Sequence, residues 1–266
     1  MEAQLRPSSA YGVVVANTMR HHMYSGWKES EKYHGEFKFW SALARICGGS
    51  VLELASGAAR IQRAIAEAGF PAYGIEDSPL MREKAFEMIK ELPKAVRNRI
   101  AVLAGDMRMY QFSDRRTFPL VIIPYRSFWW NFGRECQPDP GNNRGHAMPI
   151  ETMTASAHAC LRTIMEALSP NGVFAIDAPL KDITMLSQEN VLRWWDDASQ
   201  LFGFDYALVC PYTDSSNDKS TNDKVLLGWK KTAKHPDDLL TTWPLFDRAA
   251  AFQDADSFHP ISLPGN

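Results

Sequence analysis

The chain has 266 residues, 45% hydrophobic and 23% charged, a composition that suits one large globular domain with appendages. Lys and Arg total 29 against 31 Asp and Glu, and no segment carries a Lys/Arg-rich stripe, which disfavours a nucleic-acid partner. No apolar run reaches the roughly 18 residues of a membrane span, and the opening MEAQLRPSSAYG lacks the charged start and apolar stretch of a secretory signal. The expectation is a cytoplasmic protein with no membrane partner. Cys47, Cys136, Cys160 and Cys210 are widely separated, with no CxxC pair and no histidines at ligand spacing, so they read as reduced packing residues and no metal is expected.

In chain order, short apolar runs rich in β-branched residues alternate with segments of helical period, the pattern of βαβ units around a parallel sheet. The spacing predicts strands at Ser50 to Leu54, Ala72 to Ile75, Ile100 to Leu103, Pro119 to Ile123 and Val173 to Asp177. Each is nearly continuously apolar, as strands covered on both faces are. Helices are predicted at Arg60 to Ala68, stopped by Gly69, and at Pro79 to Leu92, with Pro79 at the first helical position. A third runs from Thr152 to Leu168, before a Ser169-Pro170-Asn171-Gly172 turn. In VLRWWDDASQLF, Trp194 and Trp195 stand at helical spacing from Leu192 and Leu201, which reads as core packing. FDYALVCPYT and KVLLGWKK read as two antiparallel strands joined by the polar DSSNDKSTND turn.

The predicted fold class is therefore α/β: a Rossmann-like, doubly wound, mostly parallel sheet with an antiparallel C-terminal hairpin and an N-terminal lid. Residues 1–35 form the lid region, 36–232 the main domain with 133–150 as an inserted Pro/Gly/Asn-rich loop, and 233–266 a tail packed on the domain.

The strongest local motif is VLELASGAAR at 51–60, where a strand ends in Glu53, passes a small-residue turn and enters a helix. Gly57 supplies a flexible turn position, Ala55 and Ala59 keep bulk away, and the helix N-terminus offers unpaired N–H groups. Taken alone, any tight strand-to-helix turn looks the same. The second motif, YGIEDSP at 73–79, ends its strand in Glu76, placed to accept the two hydroxyls of a ribose beside the first turn. The alternative is that Glu76 and Asp77 are solvated loop acids. The third, AGDMR at 104–108, puts Asp106 where it can accept from an adenine amine and the Met107 backbone at the ring edge. Three strand ends thus point at one nucleoside.

Together VLELASGAAR, YGIEDSP, AGDMR, PLVIIPYRS and LSPNG, spanning about residues 48–178, resemble the successive motifs of the class I S-adenosylmethionine-dependent methyltransferases. The resemblance is to the superfamily rather than to a substrate class. It implies S-adenosylmethionine as cofactor and S-adenosylhomocysteine as product. Glu53 and the turn through Ala55, Ser56 and Gly57 would lie near the methionine part, Glu76 would hold the ribose, Asp106 and Met107 the adenine, and Arg60, Asp77, Met81 and Arg108 are further candidate cofactor contacts. Pro124 to Ser127 would line the methyl-transfer site, Pro124 and Tyr125 among them as cofactor contacts. The first motif departs from the family by keeping one glycine where two or three are usual. Alanine serves at Ala55 and Ala59 if their φ angles are negative. Near Asn131 many small-molecule members have a histidine, and this chain does not.

PYRSFWWNFG at 124–133 follows the fourth strand, where donor and acceptor meet. Arg126, Trp129, Trp130 and Asn131 are candidate acceptor contacts there, with Tyr24, Trp27 and Tyr33 from the lid. Aromatic faces attract cations, so an aromatic or cationic small molecule is the expected acceptor; the other reading is that the tryptophans simply pack. Methyl transfer from a sulfonium needs alignment more than a base. For a hydroxyl acceptor Tyr125, His22, His34 and His146 are the candidate proton acceptors, although a lone histidine is usually structural. The expected activity is methyl transfer to O or N of a small molecule by a monomer or homodimer. Its rivals are a methyltransferase fold with other chemistry or nucleoside binding only, a nicotinamide-dependent oxidoreductase, which a lone Gly57 in place of GxGxxG disfavours, and an RNA-modifying methyltransferase.

Overall fold

The computed structural model describes residues 34–125, 127–128, 150–179, 188–209 and 223–230. The predicted lid, the 133–150 loop, the DSSNDKSTND turn and the tail lie outside them, apart from His34 and Gly35, Ile150, which already belongs to a helix, and Asp223, which begins a strand. The elements run α1 (His34–Cys47), β1 (Val51–Leu54), α2 (Arg60–Glu67), β2 (Ala72–Glu76), α3 (Pro79–Lys90), α4 (Lys94–Arg97), β3 (Ile100–Ala104), β4 (Phe118–Ile123), α5 (Ile150–Ala167), β5 (Leu168–Pro179), α6 (Gln188–Phe202), β6 (Phe204–Val209) and β7 (Asp223–Lys230).

The strands form one seven-stranded sheet in the order β3-β2-β1-β4-β5-β7-β6. The first five are mutually parallel, and β7 enters antiparallel between β5 and β6. The order reverses direction between β1 and β4, and ligands bind at the carboxyl ends of strands beside such a switch point.

Alternation along the strands divides the core into two faces. Leu52, Leu54, Ile75, Val121, Ile123, Phe174, Ile176 and Leu226 point to one side and pack against α5, α6 and β6. Val51, Ala72, Leu120, Ile122, Val173, Ala175, Val225 and Leu227 point to the other, against α1 and α2. The first face is rich in rings: Trp195 stacks on Phe128 with centroids 6.0 Å apart, and Phe204 meets Phe174 edge-on at 5.1 Å. Cys160 lies in this core and Cys47 at the end of α1, and burial pushes the Cys47 thiol up to about 12.

Three expectations change. α1 had no predicted counterpart, yet Glu36, Phe39, Trp40, Leu43 and Ala44 are buried at helical spacing. In α6 the buried stripe is Trp195, Ala198 and Ser199, while Leu201 is 63% exposed, because six residues from Trp195 is about one and two-thirds turns and lands on the outer face. The Ser169–Gly172 turn is absorbed into β5: Phe118 pairs with Leu168 and Leu120 with Val173, so these four residues bulge opposite Pro119, with Asn171 at φ 61°.

Candidate functional site

The carboxyl ends of β1 and β2 lie side by side, Glu53 paired with Gly74 and Leu54 with Ile75. The chain then turns through Ala55, Ser56 and Gly57 into α2. Ala55 (φ 56°), Gly57 (φ 55°) and Ala59 (φ 63°) all sit in the left-handed region. The condition of negative φ at the alanines is therefore not met: the turn places all three positions in the left-handed region, and at two of them alanine carries the steric cost that glycine escapes. Ala59 is also the N-cap of α2 and offers no side-chain acceptor.

Glu76 closes this turn. Its Oε2 accepts from the Gly57 N–H at 2.8 Å and its Oε1 from the Ser78 N–H at 2.9 Å, while Arg82 donates to the backbone carbonyls of Glu76 and Asp77 at 2.7 and 2.8 Å. The Glu76 side chain is not a solvated loop acid. Its residue is 7% exposed, and burial pushes its carboxyl up to about 7 against the pull of the two amides. Asp77 is exposed, and Met81 packs on Ala58.

Glu53 is buried below the turn. Burial holds its carboxyl well above the ordinary range, Arg60 opposes this and the neighbouring Glu36 and Glu76 add to it, and the Gln62 backbone N–H donates to it. Its Oε2, the Ser56 Oγ and the Gln62 Oε1 are buried without a hydrogen-bond partner. Gly74 keeps room for the last two, since a methyl there would overlap both. Arg60 is neutralised by Glu36, so the hydrogen-bonding capacity left at this turn is that of the Glu53 and Glu76 carboxyls and Ser56.

Arg60 begins α2 and is committed: its Nη1 and Nη2 donate to the Glu36 carboxylate at 2.5 and 3.1 Å. Its guanidinium lies over the Tyr125 ring, 4.7 Å from the centroid, and over Phe37 at 5.4 Å. Asp106 is likewise engaged, accepting from the Arg108 backbone N–H at 2.8 Å and from the Arg108 guanidinium, which holds its carboxyl below the ordinary range against a half-burial that raises it. Met107 belongs to the core on the ring-rich face. Pro124 is buried after β4, and Tyr125 adopts φ 60°, a strained angle for a bulky residue.

Of the predicted residues, Glu53, Ala55, Ser56, Gly57, Arg60, Glu76 and Tyr125 thus belong to one connected neighbourhood. Asp77, Met81, Asp106, Met107, Arg108 and Pro124 follow the adjoining strand ends. His34 opens α1, its side chain not described; His22, Tyr24, Trp27, Tyr33, Arg126, Trp129, Trp130, Asn131 and His146 lie outside the described residues. Glu36, Phe37 and Asp177 were missed. The helical spacing of Glu36, Phe39, Trp40, Leu43 and Ala44 is the signal that could have found Glu36. Asp177 is 3% exposed at the carboxyl end of β5, one residue beyond the Ile123–Ile176 pair.

The strand order and this edge define the fold of the class I S-adenosylmethionine-dependent methyltransferases. Solved structures with it include the glycopeptide N-methyltransferase MtfA complexed with S-adenosyl-L-homocysteine (16% identity, TM-score 0.54, covering 75% of this chain and 90% of that one). The CcbJ methyltransferase from Streptomyces caelestis (14%, 0.54, 74% and 89%) and a TehB-like SAM-dependent methyltransferase from Corynebacterium glutamicum (13%, 0.55, 82% and 99%) share it too. No protein-family model and no curated protein matches the sequence. Among the described residues no helix is long and apolar enough to cross a membrane.

Proposed function

We infer that the chain binds S-adenosylmethionine and transfers its methyl group to the oxygen or nitrogen of a small-molecule acceptor in the cytoplasm. The observation that carries this reading is Glu76: a buried carboxylate ends β2 and touches the amide of the β1 turn, where the two hydroxyls of a ribose would find both oxygens within one pocket. The cofactor fits the residues present. Its amino-acid part suits the Glu53 carboxyl, whose Oε2 is buried with hydrogen-bonding capacity unused, beside the equally unused Ser56 Oγ. That solved proteins of this fold are complexed with the cofactor and its product agrees with this.

When bound, the cofactor supplies an activated methyl group on sulfur. The chain's part is orientation. Gly57 permits close approach of the backbone, Glu53 and Ser56 meet the methionine part, and Glu76 with Asp77 and Met81 receives the ribose. Asp106, its carboxylate held ionised by Arg108, and the Met107 amide receive the adenine. Tyr125, held in its strained conformation beside Arg60, borders the transfer site and is the candidate proton acceptor for a hydroxyl acceptor.

Binding without methyl transfer is the second reading, favoured by the strained alanines of the first turn. Titration with the cofactor, followed by a screen of amine and phenol acceptors for S-adenosylhomocysteine formation, separates the two. Turnover with any acceptor supports transfer. Tight binding with no turnover across both classes supports the second reading.

A further inference from the structure

Three separate elements meet at Arg60. Glu36 and Phe37 stand in the first turn of α1, Arg60 begins α2, and Tyr125 follows β4. Glu36 grips the guanidinium by both terminal nitrogens, and the cation lies against two rings, Phe37 at 5.4 Å and Tyr125 at 4.7 Å. The side chains of Arg60 and Glu36 are only 11% and 7% exposed, so water screens this contact little. Planar, weakly hydrated guanidinium is the cation suited to stack on an aromatic face while keeping a forked bond to a carboxylate. Tyr125 needs such a hold, because a residue with φ 60° persists only where its surroundings over-determine it.

We propose that Arg60 is a positioning residue for Tyr125 rather than a cofactor ligand, and that Glu36 sets Arg60, so that helix α1 fixes the Tyr125 ring at the transfer site through one buried cation. This deepens the reading above, on which the importance of Tyr125 rests. The relay itself is a statement about side-chain geometry.

The test is 3-fluorotyrosine placed at residue 125 and observed by fluorine NMR in Glu36→Gln, in Arg60→Lys and in a control, Arg63→Gln, which removes the exposed Arg63–Glu67 pair on the same helix. Glu36 makes the relay's far end, and Arg60→Lys probes the link between it and residue 125. The expected result is a resolved shift in Glu36→Gln and Arg60→Lys, none in the control, and S-adenosylhomocysteine affinity changed by no more than about threefold in each. An unmoved resonance in folded Glu36→Gln overturns the relay. A loss of affinity of about tenfold or more in Arg60→Lys overturns it too, by making Arg60 a cofactor ligand. Should Glu36→Gln fail to fold, Glu36→Asp keeps the charge, shortens the reach and is judged by the same criterion. If the unsubstituted protein binds no S-adenosylhomocysteine, the functional reading fails while the fluorine measurement still decides the relay.

Discussion

The two faces of the sheet are built from opposite materials. Against α5, α6 and β6 the packing is apolar and ring-rich, with Phe118, Phe128, Phe174, Trp195 and Phe204 all buried. Against α1 and α2 the same strands begin with valine, leucine and isoleucine but end among Glu53, Glu76, Gln62, Glu36 and Arg60. Both faces bury what they hold. Apolar burial stabilises at little cost in specificity, whereas buried acids with incomplete partners cost stability and are retained where a ligand completes them. The ring-rich face is thus read as the scaffold, and the polar end of the other face as the site.

The comparison breaks most sharply if ring-rich-face substitutions alter ligand binding in the folded protein. Trp195→Ala removes a fully buried ring stacked on Phe128 and is expected to lower unfolding free energy by about 3–5 kcal/mol, read by denaturant melting. Two glycines then make a matched pair. A methyl at Gly228 overlaps the Phe174 ring, and one at Gly74 overlaps Ser56 and Gln62. Each substitution to alanine costs about 1–3 kcal/mol by overpacking. Only Gly74→Ala should also weaken S-adenosylhomocysteine binding, by about tenfold or more, because Ser56 belongs to the turn. Equal effects on binding would erase the distinction between the faces.

Protons give a smaller effect with a definite sign. The Glu76 carboxyl sits at about 7 in the folded protein against an ordinary 4.5. Between these values the folded state keeps a proton that the unfolded chain releases, so stability falls as pH rises from 4.5 to about 7 and then levels. Ribose hydroxyls donate to the ionised form, so affinity should move the other way, rising about tenfold from about pH 6 to about pH 8 with proton release below neutrality. Calorimetry in buffers of different ionisation enthalpy reads both. Smallest of all, Ala55→Gly and Ala59→Gly should each raise stability by about 0.5–1 kcal/mol, since relief of left-handed strain exceeds the entropy lost with glycine. A loss of stability there would mean the turn is not strained.

How much of this was legible depends on what each residue's signal is. The five parallel strands announce themselves because their runs are nearly continuously apolar, even in β3, which is only half-buried at the sheet edge, and the candidate edge follows because Glu53, Glu76 and Asp106 stand at or just beyond the ends of such runs. Helix α1 was hidden because its buried stripe begins with Glu36, an acid whose reason for burial is Arg60, 24 residues away. The same long-range pairing conceals the work of Arg60, which looks from VLELASGAAR like part of the turn. The φ angles of Ala55 and Ala59 were not readable either: alanine usually adopts a negative angle, and the strand-to-helix turn holds both in the left-handed region. Leu201 misled because hydrophobicity alone does not mark a face.

The central measurement is calorimetric titration with S-adenosylhomocysteine of the unsubstituted protein and of Glu76→Ala, with a nicotinamide dinucleotide in parallel. Micromolar binding that Glu76→Ala weakens by about a hundredfold, with no dinucleotide binding, is the predicted result. Absence of binding, affinity that survives the loss of Glu76, or dinucleotide binding in its place would contradict the assignment of this strand edge as a methyl-donor site.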